Sequence, residues 1–374
     1  MQRWVAPSQP IKLWQAPELP AAHYEQSSEN IWSAVCLAVR ECVALARASH
    51  AGAPVVALGF CATCSLVALD AALEPVSVSL AEGRAEQNVV LWADHRAAGQ
   101  AERISASGHA ALRLVGGRVS AEMQLPKVLW LREHLPAARF DRVAHWLDLC
   151  DFLTLRATGS AVRSVCPLVC KWLWDEQRSG GSGSSSSGGW DAPWLAALGL
   201  GQLEARMGGP GRAADPGACA GRVTSAAARE LGLEPGCAVS AGLIDAHCGA
   251  LGLLDVARPG ASLAIVAGTS NCILGLCAGG APRLVEGLWA GALTRGLWCN
   301  EGARAQRAAC STTSRGGTRR APRCRPASIS SPGPSSASRR WRARVGSPRR
   351  PRSRATCTSR RTSTATAAPF CAPT

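Results

Sequence analysis

Leu243-Ile244-Asp245-Ala246-His247 sets a single carboxylate at the end of an apolar run, with a helical pattern starting directly behind it. A carboxylate leaving the end of such a strand faces a cleft instead of a core. There Asp245 can take a proton from a substrate hydroxyl, or hold Mg2+ directly or through water. It can equally cap the following helix, and spacing alone leaves both readings open. Further along, Ala267-Gly268-Thr269-Ser270-Asn271 follows a second apolar strand. Glycine lets backbone approach a phosphate, and the Thr269 and Ser270 hydroxyls supply donors without adding charge. A plain hairpin turn would use the same residues.

Other polar groups stand in apolar settings. Lys171, inside Leu168-Val169-Cys170-Lys171-Trp172, either snorkels to water or meets an anion or a polyol. Trp92-Ala93-Asp94-His95-Arg96 offers three polar side chains at a strand end, or a solvated loop with a capping Asp. Asn300-Glu301-Gly302 is uninformative by itself. Cys61-Ala62-Thr63-Cys64 has the spacing of a metal or redox pair, but it joins two strands and no second pair stands at a zinc spacing. No G-x-x-x-x-G-K-[ST] run occurs, which excludes a P-loop enzyme.

The elements that must position these groups alternate. Ser28 is placed to cap a helix through Ile31, Val35, Val39, Val43 and Ala46. Residues 55–60 read as a buried strand, with further strands at 65–69, 88–92, 238–244, 262–267 and 272–276. Helices are expected at 95–106, 123–135, 139–147 and 246–254. Strands alternating with helices give an α/β class. The segment 179–189 (SGGSGSSSSGG) is a flexible insertion between Trp174 and Trp190, and 205–221 is a second loop-rich stretch.

Charge divides the chain sharply. The formal net charge is +15, but 17 of the 41 Lys and Arg residues are arginines beyond residue 302, where no Lys, Asp or Glu occurs. The remainder is slightly acidic, which excludes a cationic nucleic-acid binder over its whole length. The tail lacks leucine and is expected to be disordered. It reads as an arginine-rich arm for RNA or anionic surfaces, or as sequence translated out of frame and never selected to act. No apolar run reaches the length of a membrane span, and the first residues lack the apolar core of a secretory signal. The 17 Cys are odd in number and several (Cys36, Cys42, Cys166, Cys237) sit in apolar segments, as in a protein of the reducing cytoplasm.

As an ordered set these strings resemble the FGGY carbohydrate kinase family, most closely its D-ribulokinase-like branch. The residues that carry the likeness run from Gly59-Phe60-Cys61-Ala62-Thr63-Cys64 through Leu91-Trp92-Ala93-Asp94-His95-Arg96 and Met123-Gln124-Leu125-Pro126-Lys127 to Asp151-Phe152-Leu153. Cys170-Lys171-Trp172, Leu243 to His247, Ala267 to Ser270 and Asn300-Glu301-Gly302 complete it. The resemblance implies a two-domain actin-like ATPase (ribonuclease-H-like) fold and transfer of the ATP γ-phosphoryl group, with Mg2+, to a sugar hydroxyl. It implies Asp245 as general base and Mg2+ contact. Gly268, Thr269 and Ser270 become a phosphate-binding turn, and Lys171, Asp94, His95 and Glu301 become sugar contacts. D-ribulose is the expected substrate.

The resemblance also implies domains at 1–235 and 236–302, followed by the tail 303–374. The family's Asp-x-Gly-Thr hairpin has no counterpart, residues 11–14 align with its third strand, and Ala303-Arg304-Ala305-Gln306 replaces the start of the adenosine-binding half. Cys61 stands where the branch carries an Asp. The chain as written is therefore expected to lack turnover, and a sugar- or partner-binding remnant is the alternative.

Overall fold

The computed structural model describes residues 11, 13, 23–49, 54–81, 84–179, 187–206, 213–267, 270–278 and 287–305. The tail from 306 onward lies outside the described residues, as do 180–186 of the Gly/Ser insertion and 207–212 of the second loop-rich stretch. Of the strand expected at 11–14, only Ile11 and Leu13 are described, and both are exposed and outside any strand.

The first helix runs Ser28–Ser49 and buries Ile31, Trp32, Cys36 and Val43. Its cap is not Ser28. The Ser27 hydroxyl accepts the Asn30 N–H at 3.3 Å, while buried Ser28 accepts from the Asn88 amide at 3.0 Å. A neighbouring serine is better placed for the free N–H groups of the first turn.

The best-buried sheet is antiparallel, in the order Glu25–Gln26, Val89–Val90, Leu66–Leu69, His145–Asp148. All four residues of Leu66–Leu69 are buried, so the strand reads as one apolar run without alternation. The helix expected over 139–147 splits here. Ala137–Arg142 is helical, but His145–Asp148 pairs with Leu66–Leu69, and Trp146 and Leu147 bury on opposite faces of the sheet. Long-range pairing overrides the local helical pattern. The helices Leu149–Thr158 and Val165–Trp172 follow, the first ended by Gly159 at φ 70°.

Two other expected strands are shorter than their sequences suggest. Within 55–60 only Ala57–Leu58 is a strand; it lies at the edge of a three-stranded sheet, and Val55 and Val56 are exposed instead of buried. The run 238–244 breaks into Ala238–Ser240, parallel to Ala57–Leu58, and Leu243–Ile244, parallel to Cys61–Ala62. Gly242 sits at the break. A Cβ there would come within 2.8 Å of the Phe60 carbonyl oxygen and 2.9 Å of Cys150 Cβ, so only glycine fits.

A separate antiparallel sheet orders Leu263–Ala267, Ser270–Cys277, Trp298–Ala305 and Leu288–Ala290. Its inner face buries Ala264, Leu274 and Leu276, whereas Leu263, Ile265 and Ile273 face outward. The last strand carries through Ala303 to Ala305, residues expected to start the disordered tail, because each pairs with Ser270–Cys272. The insertion is rooted firmly: Asp175–Ser179 pairs with Ser187–Gly189, and Trp174 and Trp190 are buried. Buried Cys36, Cys64 and Cys237 are free thiols that behave as small core residues, Cys166 and Cys170 are free and buried as well, and Cys42 is only half-buried.

Candidate active site

Two short parallel strands, Cys61–Ala62 and Leu243–Ile244, end side by side, and Asp245 is the first residue beyond the second of them. Crevices outside the carboxyl ends of parallel strands are where α/β folds bind ligands. Asp245 opens the helix Asp245–Leu251 but does not cap it: Ile244 holds that place, and among the described residues the Asp245 Oδ1 accepts only the adjacent Ala246 N–H, at 2.8 Å. The residue is exposed. Of the two readings left open by spacing, the helix-cap one therefore fails.

A cavity of about 460 Å³ opens between the end of the helix Val165–Trp172 and the strands Leu288–Ala290 and Trp298–Ala305. Arg118, Glu122, Lys171, Trp289 and Glu301 bring charge and an aromatic face to its wall. The Lys171 ammonium lies over the Trp289 ring, 5.7 Å from its centroid. Burial works against its charge, but Cys64, Glu301, Cys170 and Glu122 around it more than offset that and hold Lys171 protonated well above the usual lysine range. With the thiols neutral near pH 7, the two carboxylates carry this effect. A larger cavity, about 640 Å³, lies elsewhere along Arg132, Phe140, Asp141 and the 196–206 segment. It holds none of the residues singled out in the sequence.

Glu301 is the hub of the wall. Its Oε2 accepts the Trp289 indole N–H at 2.8 Å and faces His247 Nε2 at 3.3 Å. Burial raises a carboxyl, but His247, Lys171 and the Trp289 N–H reverse this and bring Glu301 down to about 2. His247 sits two residues past Asp245, so the helix that presents the exposed carboxylate also anchors the cavity wall.

The remaining expected residues separate. His95 is exposed and pairs with Glu122 at 3.2 Å, reaching the cavity through that partner. Asp94 is fully buried. Its oxygens accept from the Tyr24 N–H, the Arg96 N–H and the Arg96 guanidinium, which also binds Glu25. The structure gives this carboxylate a positioning role in place of a sugar contact. Gly268 and Thr269 lie outside the described residues. Ser270 begins the strand Ser270–Cys277, whose Asn271 pairs with Ala267. Cys61 is exposed, its thiol pushed up to about 11 by burial of the sulfur and by Cys248 and Asp245 beside it.

Sequence reasoning missed the frame that holds Lys171. Asp148 accepts from Gln124 at 2.7 Å, from Arg163 at 3.1 Å and from the Trp172 indole N–H. Arg163 also binds Asp151 at 2.5 Å, and its guanidinium lies 5.3 Å from the Trp172 ring centroid. All of these side chains are buried. Lys127 is buried as well, donating to the Leu91 and Trp92 carbonyls at 2.9 and 3.2 Å, which fixes the loop carrying Asp94 and His95. Burial brings it down to about 8 despite Cys64 and Asp94 nearby. Gln124, Lys127, Asp151 and Trp172 stood in the strings that carry the family resemblance, but nothing in the sequence joined them to Asp148 and Arg163.

Comparison with known proteins follows the same architecture. Residues 7–252 match the profile of the FGGY family of carbohydrate kinases, N-terminal domain. An FGGY carbohydrate kinase domain-containing protein of Danio rerio is 44% identical over 299 residues, covering 75% of this chain and 51% of the relative. A D-ribulokinase of Saccharomyces cerevisiae is 37% identical over 309 residues, covering 74% of this chain and 42% of that one. The crystal structure of xylulose kinase from Rhodospirillum rubrum superposes with a TM-score of 0.60 at 19% identity, over 79% of this chain and 54% of that chain, and shares the actin-like ATPase fold of sugar kinases. This chain thus spans about half the length of the curated relatives it matches. It belongs to the FGGY family of carbohydrate kinases.

Proposed function

We propose that the chain carries the sugar-binding side of an ATP-dependent pentulose kinase of the cytoplasm, with D-ribulose as the sugar and its C5 hydroxyl as the phosphoryl acceptor. The observation that carries this reading is the link between the exposed Asp245 carboxylate and the Lys171–Glu301 cavity through His247 on one short helix. A polyol needs donors and acceptors together. Lys171 donates, Glu301 and Glu122 accept, and the Trp289 face covers apolar C–H edges. Asp245 accepts the proton of the attacking hydroxyl, and Gly268, Thr269 and Ser270, the phosphate-binding residues that the family resemblance implies, offer amides and hydroxyls to the transferred group.

Mg2+ fits Asp245 in one limited way. A hard ion takes one or two carboxylates plus water and substrate phosphates. Asp245 offers an exposed carboxylate oxygen of that kind, whereas the only cluster of three metal-binding side chains among the described residues is sulfur-rich. When bound with ATP the ion neutralises phosphate charge. The D-ribulokinase likeness of the yeast relative supports the choice of sugar.

A second reading has its own observation. No Asp-x-Gly-Thr run occurs anywhere in the sequence, so residues 1–374 bind the sugar without phosphorylating it. The test joins a thermal-shift titration with D-ribulose to an ATP-coupled assay on the purified chain. Stabilisation by D-ribulose that is lost in Lys171→Met, with no ATP consumption, is the expected pair of results. Turnover at ordinary kinase rates overturns the binding-only reading. No shift with D-ribulose or any other pentulose overturns the sugar assignment itself.

A further inference from the structure

We propose that Cys166, Cys170 and His247 form a buried zinc-binding site that joins the helix Val165–Trp172 to the helix Asp245–Leu251. The inference does not depend on phosphoryl transfer.

The geometry starts from helical spacing. Cys166 and Cys170 stand four residues apart, so both sulfurs leave the same face of one helix. His247 comes from the other helix and points Nδ1 at both sulfurs, 3.2 Å from Cys166 Sγ and 3.9 Å from Cys170 Sγ. All three donor atoms lie within 4.8 Å of one another, and the residues are 0%, 0% and 1% exposed. Tetrahedral zinc with S and N at its usual bond lengths sets S···N at about 3.6 Å and S···S at about 3.8 Å. The two S···N separations bracket the first value, and with both sulfurs also within 4.8 Å of each other, side-chain motion of an ångström or less admits the ion.

The imidazole is already set for the task. Its Nε2 faces the Glu301 carboxylate at 3.3 Å, and Glu301 is held in turn by Trp289. A proton on Nε2, donated to Glu301, leaves the Nδ1 lone pair directed at the sulfurs. Carboxylate–histidine–metal chains of this form orient and strengthen histidine ligands in zinc sites.

Charge balance favours the same conclusion. Zinc binding displaces two protons from the cysteine and imidazole groups to solvent. The centre then contains two thiolates, one divalent ion and a neutral imidazole, with no net charge. Three protein donors leave the fourth tetrahedral position to water or another small ligand. The softness of two thiolates selects Zn2+ over Mg2+, which keeps this centre chemically separate from the Asp245 carboxylate.

The experiment uses the full chain. Metal content is measured after purification and after refolding with Zn2+ or Co2+. One zinc per chain and a thiolate-to-cobalt charge-transfer band typical of tetrahedral sulfur ligation are expected. Cys166→Ser and Cys170→Ser should each abolish the band, whereas exposed Cys61→Ser should leave it unchanged. Glu301→Gln keeps all three ligands and should weaken zinc affinity by about 10–100-fold. It also serves if the cysteine variants fail to fold. Zinc should protect Cys166 and Cys170, and not Cys61, from alkylation mapped by mass spectrometry. A wild-type chain that takes up no stoichiometric metal, that binds it with both buried thiols still alkylated, or that contains a Cys166–Cys170 disulfide after purification overturns the proposal.

Discussion

Two sheets in this chain solve the same problem differently. The strand Leu66–Leu69 is buried on both faces, and Asp148, paired with Leu66 on the neighbouring strand, anchors the Asp148–Arg163–Asp151 network. The sheet from Leu263 to Ala305 buries one face and leaves Leu263, Ile265 and Ile273 in solvent, 71%, 63% and 45% exposed. Burial on both sides makes the first sheet intolerant of change, because any altered side chain meets packed neighbours. The second owes its cohesion to backbone pairing, with eight paired positions between Ser270–Cys277 and Trp298–Ala305, and its outer side chains contribute little. Stability should therefore depend steeply on the first region and weakly on the second.

The sharpest way to break that contrast is Arg163→Met. Removing one guanidinium strands two buried carboxylates, and losses of about 3–5 kcal/mol accompany such a change. Urea unfolding that shows less than about 1 kcal/mol would mean the network is not the keystone of the first region. Leu66→Ala should cost about 2–5 kcal/mol by the same measurement, since the side chain is fully buried.

Lys127 sharpens the comparison through pH. Its buried ammonium titrates near 8 in the fold and at the ordinary 10.5 once unfolded. A base depressed in this way binds more protons unfolded than folded between those values. Its burial therefore costs stability below pH 8, and the cost is relieved as pH rises toward 10.5. The stability of the wild type relative to Lys127→Met should improve by roughly 2–3 kcal/mol across that window. Taking the difference cancels the thiols that titrate in both proteins. A flat difference would place Lys127 in a wetter setting than the two carbonyl bonds describe. Gly242→Ala follows, with about 1–3 kcal/mol lost to overpacking against Phe60 and Cys150. The smallest effect belongs to the second sheet: Ile265→Ser should change stability by less than about 0.5 kcal/mol. A loss comparable to Leu66→Ala would show that the outer face is covered.

The same contrast explains what could be read from residues alone. Helix Ser28–Ser49 was legible because its apolar positions repeat at helical spacing, and strands Leu66–Leu69 and Leu263–Ala267 because each is a short uninterrupted apolar run. The strand His145–Asp148 was not, because its identity comes from a partner almost eighty residues earlier. Asp245 was recognisable from its place after an apolar run, as was Lys171 from its isolation among apolar residues. Glu122, Arg163 and the Cys166–Cys170–His247 cluster depend on segments meeting in space. The thiols were visible as small core residues, but nothing in their spacing pointed to His247. Asp94 shows the opposite failure, since a polar string at a strand end looks the same whether its carboxylate serves a ligand or an adjacent guanidinium.

The hairpin that brackets the Gly/Ser insertion has a practical use. Its base is closed by pairing of Asp175 with Gly189 and Ser179 with Ser187, and Trp174 and Trp190 fasten it to the core. Segments spliced between those paired ends pay only for closing a longer loop, about 0.6 kcal/mol for each doubling of its length. A fluorescent reporter or an affinity tag placed there would leave both cavity and thiol cluster untouched, making this the natural port for imaging or purification.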